Sequence, residues 1–368
     1  MIVHLFPSEK FTKSFIYTMN EWFPRSLNCF FVYNYDEEAE KKYELKEIES
    51  ENVILIGSLL EVKQKSEYIK KINSADKIIV HSLFYWKEID AFSNNSWKKK
   101  LCIVFWGGDL QQLVVKPKNS FLKLLRYYFE KKKMTNLISK SCAVATLLSG
   151  DYDLLASCVN LNGKKAYTAM YLNSEYEPEA IYNKFFRNNT EKPWNILVGN
   201  NAAETNQHIE VFQALRKFDI KDIRVVVPLS YPVSKDKTYL KEVINKGKEL
   251  FGESFVPLTD YMKFDEYVEI LSKCRIAIFN NTRQQALGNI ELMTLLGGKV
   301  FIRNDNVMWK EFVLKEKMKF YPFESIKSSS LNEFIEYDVE TQSKNVSLMI
   351  KYMSKTRFFS IWNEIFKD

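Results

Sequence analysis

A run of small and amide residues near the middle of the chain has the composition of a phosphate-binding turn. Residues 199–208 follow an apolar stretch and lead into a helical pattern that begins at Ile209. Gly199 would let a ligand approach the backbone closely, and Thr205 or Asn206 could cap the helix, whose first amides attract anions. The candidate ligand contacts here are Gly199, Asn200, Asn201, Asn206 and His208. Both the G-x-G-x-x-G and the G-x-x-x-x-G-K-[ST] spacings are missing, so ordinary dinucleotide and P-loop functions lose support.

A second cluster, residues 283–289, adds a cation to these amides. Arg283 carries a rigid fork of donors that suits phosphate oxygens, and Gln284 and Gln285 follow it directly. Gly288 and Asn289 come just before a predicted helix over residues 290–296. The alternative for Arg283 is an ordinary surface arginine. Its place between an apolar strand and a glycine-led helix favours a binding role.

Three further residues suit recognition of a nucleoside. Pro228 and Tyr231 form a rigid turn with an aromatic ring after a second apolar run, and Tyr261 stands before another helical pattern. An aromatic ring at such a place can stack on a base. The alternative is that these rings pack over their own turns.

Short apolar runs before the clusters read as strands that position them. They cover residues 195–199, 223–228, 275–279 and 299–303, with helical patterns between them. This alternation predicts a parallel sheet built from βαβ units, and such sheets bind ligands outside the carboxyl ends of their strands.

The first half of the chain alternates in the same way. Its predicted strands are residues 2–6, 29–33, 53–57, 77–81, 101–106, 142–146 and 166–170. Residues 173–192 are polar and irregular and read as a linker. We therefore predict an α/β protein with Rossmann-like domains over residues 1–185 and 193–342, facing each other across a cleft, and a C-terminal helical segment, 343–368, that packs back toward the first domain.

Two residues of the first half are candidate general bases. Asp109 follows Gly107-Gly108 after a predicted strand, and His81 ends another. Either could deprotonate an acceptor hydroxyl. The alternatives are a helix cap for Asp109 and a packing role for His81.

Composition restricts the possible classes of function further. The chain has 368 residues, 46% of them apolar, with no run resembling a membrane span or a signal peptide. Its five cysteines and three histidines lack metal-site spacing, so we expect neither zinc nor another metal.

The net charge of +7 is concentrated in one region. Residues 98–140 hold eleven Lys or Arg against two acidic residues. A basic amphipathic helix is predicted over residues 121–134, with its cationic side formed by Lys123, Arg126, Lys131, Lys132 and Lys133. Such a helix can lie on an anionic membrane or contact an acidic partner. The alternative is a core-facing helix with a solvated basic side.

Segments in both halves of the chain carry a resemblance to a known family. The sequence resembles the TDP-N-acetylfucosamine:lipid II N-acetylfucosaminyltransferase family, the 4-alpha-L-fucosyltransferase-like glycosyltransferase family 56, which makes enterobacterial common antigen. In the second half the matching segments are residues 196–200 with Asn206 and His208, 225–228 with Tyr231 and Pro232, 264–267 with Cys274, 283–285 with Gly288, and Asn306 with Trp309. The first half matches more weakly, at residues 106–110, His81 and residues 145–146.

The resemblance implies a GT-B glycosyltransferase that needs no metal and no other cofactor. The C-terminal domain would hold the nucleotide sugar and the N-terminal domain the acceptor. Many GT-B enzymes place a ribose-binding carboxylate where Glu291 stands, although the resemblance does not itself support a glutamate there.

The residues and the resemblance together predict a peripheral bacterial enzyme on the cytoplasmic face of the inner membrane. It would transfer a deoxy or deoxyamino sugar from a nucleotide diphosphate, TDP in the first place, to a polyprenyl-diphosphate-linked oligosaccharide for surface polysaccharide synthesis. The alternatives are a fucosyltransferase that uses GDP-fucose or a soluble or protein acceptor, and a non-catalytic nucleotide-sugar-binding or membrane-docking subunit. Nucleic acid is not expected as a partner, because the positive charge is confined to one region and no aromatic-basic recognition motif accompanies it.

Overall fold

The computed structural model divides the chain into two compact units. It describes residues 1–9, 11–48, 50–83, 86–92, 95–117, 121–169, 177–187, 192–219, 221–231 and 237–367. Unit 1 comprises Met1–Glu175 and Lys355–Asp368, and unit 2 comprises Tyr176–Ser354. Each unit contains one parallel sheet with helices.

The sheet of unit 1 has seven strands in the order β3-β2-β1-β4-β5-β6-β7, all parallel. The strands are β1 (Ile2–Pro7), β2 (Asn28–Tyr33), β3 (Val53–Leu55), β4 (Lys77–His81), β5 (Leu101–Phe105), β6 (Ala143–Thr146) and β7 (Lys164–Tyr167). The central strands β1, β2, β4 and β5 are buried along their whole length. Their continuous apolar runs are typical of a sheet covered on both faces.

The sheet of unit 2 has six strands in the order β10-β9-β8-β11-β12-β13, again all parallel. The strands are β8 (Trp194–Val198), β9 (Ile223–Pro228), β10 (Phe255–Leu258), β11 (Cys274–Phe279), β12 (Lys299–Ile302) and β13 (Tyr321–Pro322). In both sheets the strand order reverses beside the first strand of the unit. Rossmann-like sheets bind their ligands at the carboxyl side of this reversal.

Helices surround the two sheets. Those of unit 1 are α1 (Thr12–Trp22), α2 (Glu37–Tyr43), α3 (Ser66–Ser74), α4 (Asn95–Lys98), α5 (Gln111–Val114), α6 (Phe121–Ser139) and α7 (Ser149–Cys158). Those of unit 2 are α8 (Pro178–Phe185), α9 (His208–Leu215), α10 (Thr238–Phe251), α11 (Phe264–Ser272), α12 (Leu287–Leu295), α13 (Val307–Trp309), α14 (Ser325–Ser328), α15 (Leu331–Ile335) and α16 (Val339–Met353). The last helix, α17 (Lys355–Lys367), returns to unit 1.

The sequence predicted every strand except β10 and β13. Pro257 within β10 disguises that strand, and it is tolerated because β10 is an edge strand. Strand β13 has only two residues, too few for a pattern. The last strand of the first half, predicted over residues 166–170, begins two residues earlier, as β7 at Lys164. Met170, its predicted end, lies outside the described residues.

Two further predictions, for the linker and for the C-terminal helix, need correction. The predicted linker contains helix α8, and the expected single helix over residues 343–366 is broken at Ser354 into α16 and α17. Helix α17 packs on the sheet of unit 1 through Trp362, which is fully buried and donates its indole N–H to the carbonyl of Ala169 at 3.1 Å. The Lys77 ammonium also donates to the carbonyl of Ile365.

Candidate active site

The predicted ligand residues of the second half meet at the strand reversal of unit 2. The loop after β8 and the loop after β11 lie side by side there, because these two strands are neighbours in the sheet. Hydrogen bonds of side chains, to other side chains and to the backbone, join the two loops to each other and to the segment after β12. The carboxyl edge of the sheet is therefore a connected polar surface.

Asn206 is the centre of this network. It is fully buried, and its amide oxygen accepts from the backbone N–H of Asn200 at 3.2 Å and from the Asn281 amide at 2.9 Å. Its amide nitrogen donates to the carbonyl of Asn201 at 3.0 Å, to the Asn201 side-chain oxygen at 2.8 Å and to the carbonyl of Ala203 at 3.2 Å. The predicted cap is thus wrong: α9 begins at His208 without a side-chain cap, and Asn206 binds two loops instead.

Gln285 adds a second connection between the same loops. Its amide nitrogen donates to the side-chain oxygens of Asn200 at 2.8 Å and Asn201 at 3.1 Å, and its oxygen accepts from the Thr205 hydroxyl at 2.6 Å. The backbone N–H of Thr282 donates to the carbonyl of Thr205 at 3.0 Å. Since buried amides are costly when unpaired, these bonds fix the two loops in one geometry.

Asn306, in the segment after β12, extends the network. Its amide nitrogen donates to the carbonyls of Asn281 at 2.6 Å and Arg283 at 2.9 Å, while its oxygen caps α13 by accepting from the N–H of Met308 at 3.0 Å. The loop around Thr282 is therefore fixed by the loop after β8 on one side and by Asn306 on the other.

Arg283 supplies the positive charge of this surface. It is half-buried, and its guanidinium donates to the carbonyl of Gln284 at 3.0 Å. Burial lowers the pKa of Arg283, although the group stays charged at neutral pH. In the part of the chain that the structure describes, no carboxylate forms an ion pair with it. A guanidinium held in a partly desolvated setting without a counter-charge favours an anionic ligand.

The aromatic residue Tyr231 lies close to Arg283. The ring of Tyr231 is 46% exposed and lies near enough to affect the pKa values of Arg283 and Tyr267. The carbonyl of Tyr231 accepts from the N–H of Ala202 at 2.8 Å, which joins the loop after β9 to the loop after β8. Asn289 donates to the Tyr267 hydroxyl at 2.8 Å and so fixes the start of α12 against α11.

Gly199 and His208 form a close contact within the same site. Gly199 has a φ of +68°, and a Cβ on it would lie 2.7 Å from Nε2 of His208 and 3.0 Å from Oδ1 of Asn206, so only glycine fits. The backbone N–H of His208 donates to the Tyr239 hydroxyl at 3.2 Å, and that hydroxyl in turn lies 3.1 Å from Nδ1. Burial lowers the pKa of His208 to about 3, so the ring is neutral at pH 7. Its Nε2 is buried beside Gly199 and has no hydrogen-bond partner among the described residues.

The other predicted contacts of unit 2 differ in their setting. Pro228 ends β9 and is buried, Gln284 is buried beside Arg283, and Gly288 lies in the first turn of α12. Glu291 is buried one turn further along that helix. Tyr261 follows the edge strand β10 with a ring that is 89% exposed, apart from the network.

In unit 1, the structure places His81 inside the core. Its ring packs against Phe6, Phe15 and Trp362, with centroids 4.3 to 5.5 Å away, and its Nε2 lies 3.0 Å from Nδ1 of His4. Burial lowers the pKa of His81 well below its usual value. This is the setting of a packing residue, and it does not suit a base that must reach a substrate hydroxyl.

Asp109 joins two loops at the carboxyl edge of unit 1. One carboxylate oxygen accepts from the N–H groups of Trp106 and Leu110, both at 3.0 Å, and the other accepts from the Ser82 hydroxyl at 2.9 Å and the N–H of Leu83 at 3.4 Å. Burial raises its pKa to about 6, against the opposing effect of these donors. With four donors and almost no exposure, the carboxylate organises the loops after β4 and β5 and is poorly placed to deprotonate a substrate.

Lys131 and Lys133 of the predicted cationic side bind groups within unit 1. The Lys131 ammonium donates to the carbonyl of Leu113 at 2.7 Å, and Lys133 pairs with Asp90 at 3.1 Å. Lys123, Arg126 and Lys132 are exposed. Across the described ranges, no group of three His, Cys, Asp or Glu side chains is arranged to hold a metal ion.

Comparison with known proteins decides the family. The model of the family described as 4-alpha-L-fucosyltransferase, glycosyl transferase group 56, matches residues 22–360, which is most of the chain. The chain belongs to this glycosyltransferase family. It is therefore a transferase, and the two units are the Rossmann-like domains of the GT-B fold.

Solved structures agree with this fold. A glycosyltransferase from Rickettsia africae matches with a TM-score of 0.68 and 16% identity over 100% of this chain and 97% of that chain. Anabaena HepE in complex with UDP matches with a TM-score of 0.68 and 11% identity over 100% of both chains. The alpha,alpha-trehalose 6-phosphate synthase of Burkholderia multivorans reaches 0.66 at 7% identity, over 100% and 96%.

Several residues of the network were not predicted from the sequence. Asn281 and Thr282 directly follow the apolar run of β11, so their place after a strand was a usable signal. Tyr267 belongs to the segment 264–267 that carries the family resemblance, but nothing in the sequence marks it as a partner of Asn289. Tyr239 carried no signal, because it lies inside a helical pattern far along the chain from His208.

We predict that Asn206→Asp destabilises this glycosyltransferase by about 2–4 kcal/mol, because the new carboxylate oxygen faces three acceptors where an amide nitrogen now donates. Urea unfolding at pH 7 measures the change. Asn195→Asp is the matched control, since Asn195 makes one exposed bond, to the carbonyl of Lys273, at the opposite end of β8. Equal unfolding midpoints for the two variants would contradict the central role of Asn206.

We also predict that acid destabilises the protein through its three buried histidines. Burial lowers the pKa of His4 and His208 to about 3 and that of His81 well below its usual value, whereas an unfolded histidine titrates near about 6.5. The unfolded chain therefore binds more protons as the pH falls through about 6.5, and stability present above that pH is lost. Asp109, whose pKa is raised, has the opposite effect: it stabilises the folded protein as the pH falls from about 6 to about 4. This single carboxyl offsets only part of the effect of the three histidines.

The net loss between pH 7 and pH 5.5 should be about 3 kcal/mol, as measured by urea unfolding at each pH. His208→Gln should reduce this loss by about 1.2 kcal/mol, roughly two-fifths of the total, whatever its effect on stability at pH 7. A free energy of unfolding that does not change with pH would contradict the buried, neutral state of the histidines.

Proposed function

We propose that this glycosyltransferase moves a deoxyamino sugar such as N-acetylfucosamine from a TDP-sugar to a polyprenyl-diphosphate-linked oligosaccharide, in the synthesis of a bacterial surface polysaccharide. The observation that carries the donor assignment is Arg283: a half-buried guanidinium with no carboxylate in ion-pair contact among the described residues, beside a rigid amide network at the strand reversal of unit 2. The two charges of a nucleotide diphosphate would supply the missing counter-charge.

The reaction needs this positive charge most when the sugar leaves. The bond between the anomeric carbon and the diphosphate oxygen breaks, and the diphosphate departs with the electron pair. The acceptor hydroxyl forms the new bond to the anomeric carbon and releases its proton to solvent, so that the products are the glycoside, TDP and one proton. Arg283 and the first amides of α12, whose start is fixed by the Asn289–Tyr267 bond, would stabilise the charge that develops on the diphosphate.

The Gly199 turn fits the same role, because it would let a phosphate or sugar oxygen approach the backbone closely. His208, which is fully buried and neutral at pH 7, would support this turn without touching the ligand. Tyr231, partly exposed beside Arg283, is placed to stack on the base.

The alternative donors are GDP-fucose and a UDP-sugar. The family is described by its fucosyltransferase activity, and Anabaena HepE was crystallised with UDP and glucose. TDP and UDP differ by the thymine methyl group and the ribose 2′-hydroxyl, so the pocket around Tyr231 must distinguish them by small contacts. A polyprenyl-linked acceptor would place the enzyme, as a peripheral protein, at the cytoplasmic face of the inner membrane.

We predict that TDP binds more tightly than UDP or GDP in calorimetric titrations, and that Arg283→Ala weakens TDP binding by about ten- to hundredfold, because a charge-assisted bond to the diphosphate is lost. Arg224→Ala is the matched control, since Arg224 is exposed near the amino end of β9, away from the carboxyl edge of the sheet.

The outcomes separate the parts of the proposal. Equal TDP affinity for Arg283→Ala and the wild type would remove Arg283 from the site. Affinity for UDP or GDP with none for TDP would replace the donor and leave the binding site intact. No nucleotide binding in the wild type would overturn the donor site itself.

A further inference from the structure

An unusual concentration of exposed apolar side chains lies on helix α6 and the end of α5. Of thirteen large apolar residues exposed in the described parts of the chain, seven lie between residues 114 and 129. They are Val114, Val115, Phe121, Leu122, Leu125, Tyr128 and Phe129. We call this set the apolar face. Scattered exposed apolar residues are ordinary, but a cluster of this size marks an interaction surface.

The fold holds this face outward. The spacing of Leu122, Leu125 and Phe129 places them on one side of the helix, and their exposed fractions are 77%, 52% and 61%. On another side, Tyr127 is buried and its hydroxyl donates to the carbonyl of Leu113 at 3.0 Å. Lys131 donates to the same carbonyl. Helix α6 is therefore fixed to the end of α5 by its inner side, and the apolar face is the side left in solvent.

Basic residues surround the apolar face. Lys116, Lys123, Arg126 and Lys132 are exposed, and the ammonium of Lys116 lies 5.9 Å from the centre of the Tyr128 ring. Glu130 is the only acidic residue between positions 110 and 140, and it is half-buried. The face thus combines apolar insertion with positive charge.

We infer that the apolar face docks on the surface of a lipid bilayer that contains anionic headgroups. Its apolar side chains would enter the boundary between headgroups and acyl chains, while the four exposed basic residues contact phosphates. A second copy of this chain fits less well, because a symmetric contact would bring the same four cations of both copies together. No helix among the described residues is long and apolar enough to cross a membrane, so the contact would be peripheral.

This inference depends on the proposed function only for its purpose, which is to bring the enzyme to a lipid-linked acceptor. Membrane docking and nucleotide binding are measured separately, so either can fail alone. The test is co-sedimentation with vesicles of phosphatidylethanolamine and phosphatidylglycerol, compared with vesicles of phosphatidylcholine alone.

The wild type should bind the anionic vesicles and bind the zwitterionic ones far more weakly. Leu122→Ser with Phe129→Ser should lower binding to anionic vesicles by at least about tenfold, through lost apolar burial. Lys123→Gln with Arg126→Gln should lower it by about fivefold per residue, with a smaller difference at high salt. Leu314→Ser is the matched control, because Leu314 is 57% exposed in unit 2 and should leave binding unchanged.

Circular dichroism and urea unfolding of each variant check that the substituted proteins remain folded, independently of nucleotide binding. Equal binding to both kinds of vesicle, or unchanged binding in the two double variants, would overturn the inference. So would self-association in sedimentation velocity that the Leu122 and Phe129 substitutions abolish, since the face would then be an interface between copies of the chain.

Discussion

The requirement that a buried amide be fully hydrogen-bonded organises the candidate donor site. Asn206 is enclosed at the strand reversal of unit 2, and its oxygen and nitrogen both bind backbone and side-chain groups of neighbouring loops. Movement of the loops away from Asn206 would leave its polar atoms unpaired in a low-dielectric setting, so the loops are held in one arrangement. That arrangement sets where Gly199, His208 and Arg283 stand relative to one another.

The sheet explains why these groups meet although they are distant in sequence. Strands β8 and β11 are neighbours, so the loops after them share one edge, and the carbonyl of Arg283 is in turn fixed by Asn306 from the segment after β12. Rigid positioning of Arg283 is what charge stabilisation in a transferase needs, because donors fixed in advance require little rearrangement as the diphosphate leaves. The same edge of unit 1 is organised differently, by one buried carboxylate, Asp109, that binds the loops after β4 and β5.

Patterns along the chain predicted the fold well and the site in part. Buried parallel strands are continuous apolar runs, and so all but an edge strand containing Pro257 and a two-residue strand were found. Residue type and position after a strand also identified Gly199, Gln285 and Arg283. They could not identify function for a residue whose role depends on burial: His81 reads as a base at a strand end, yet it packs among Phe6, Phe15 and Trp362. Partners such as Tyr239 come from another element, and only the three-dimensional structure pairs them with His208.

The most direct test of the donor site is a crystal structure of the protein with bound TDP. The account predicts diphosphate oxygens about 2.7–3.2 Å from the Arg283 guanidinium, at the carboxyl edge of β8 and β11, with the Asn206 network unchanged. A TDP molecule bound at another edge of either sheet, with Arg283 in contact with solvent alone, would contradict it.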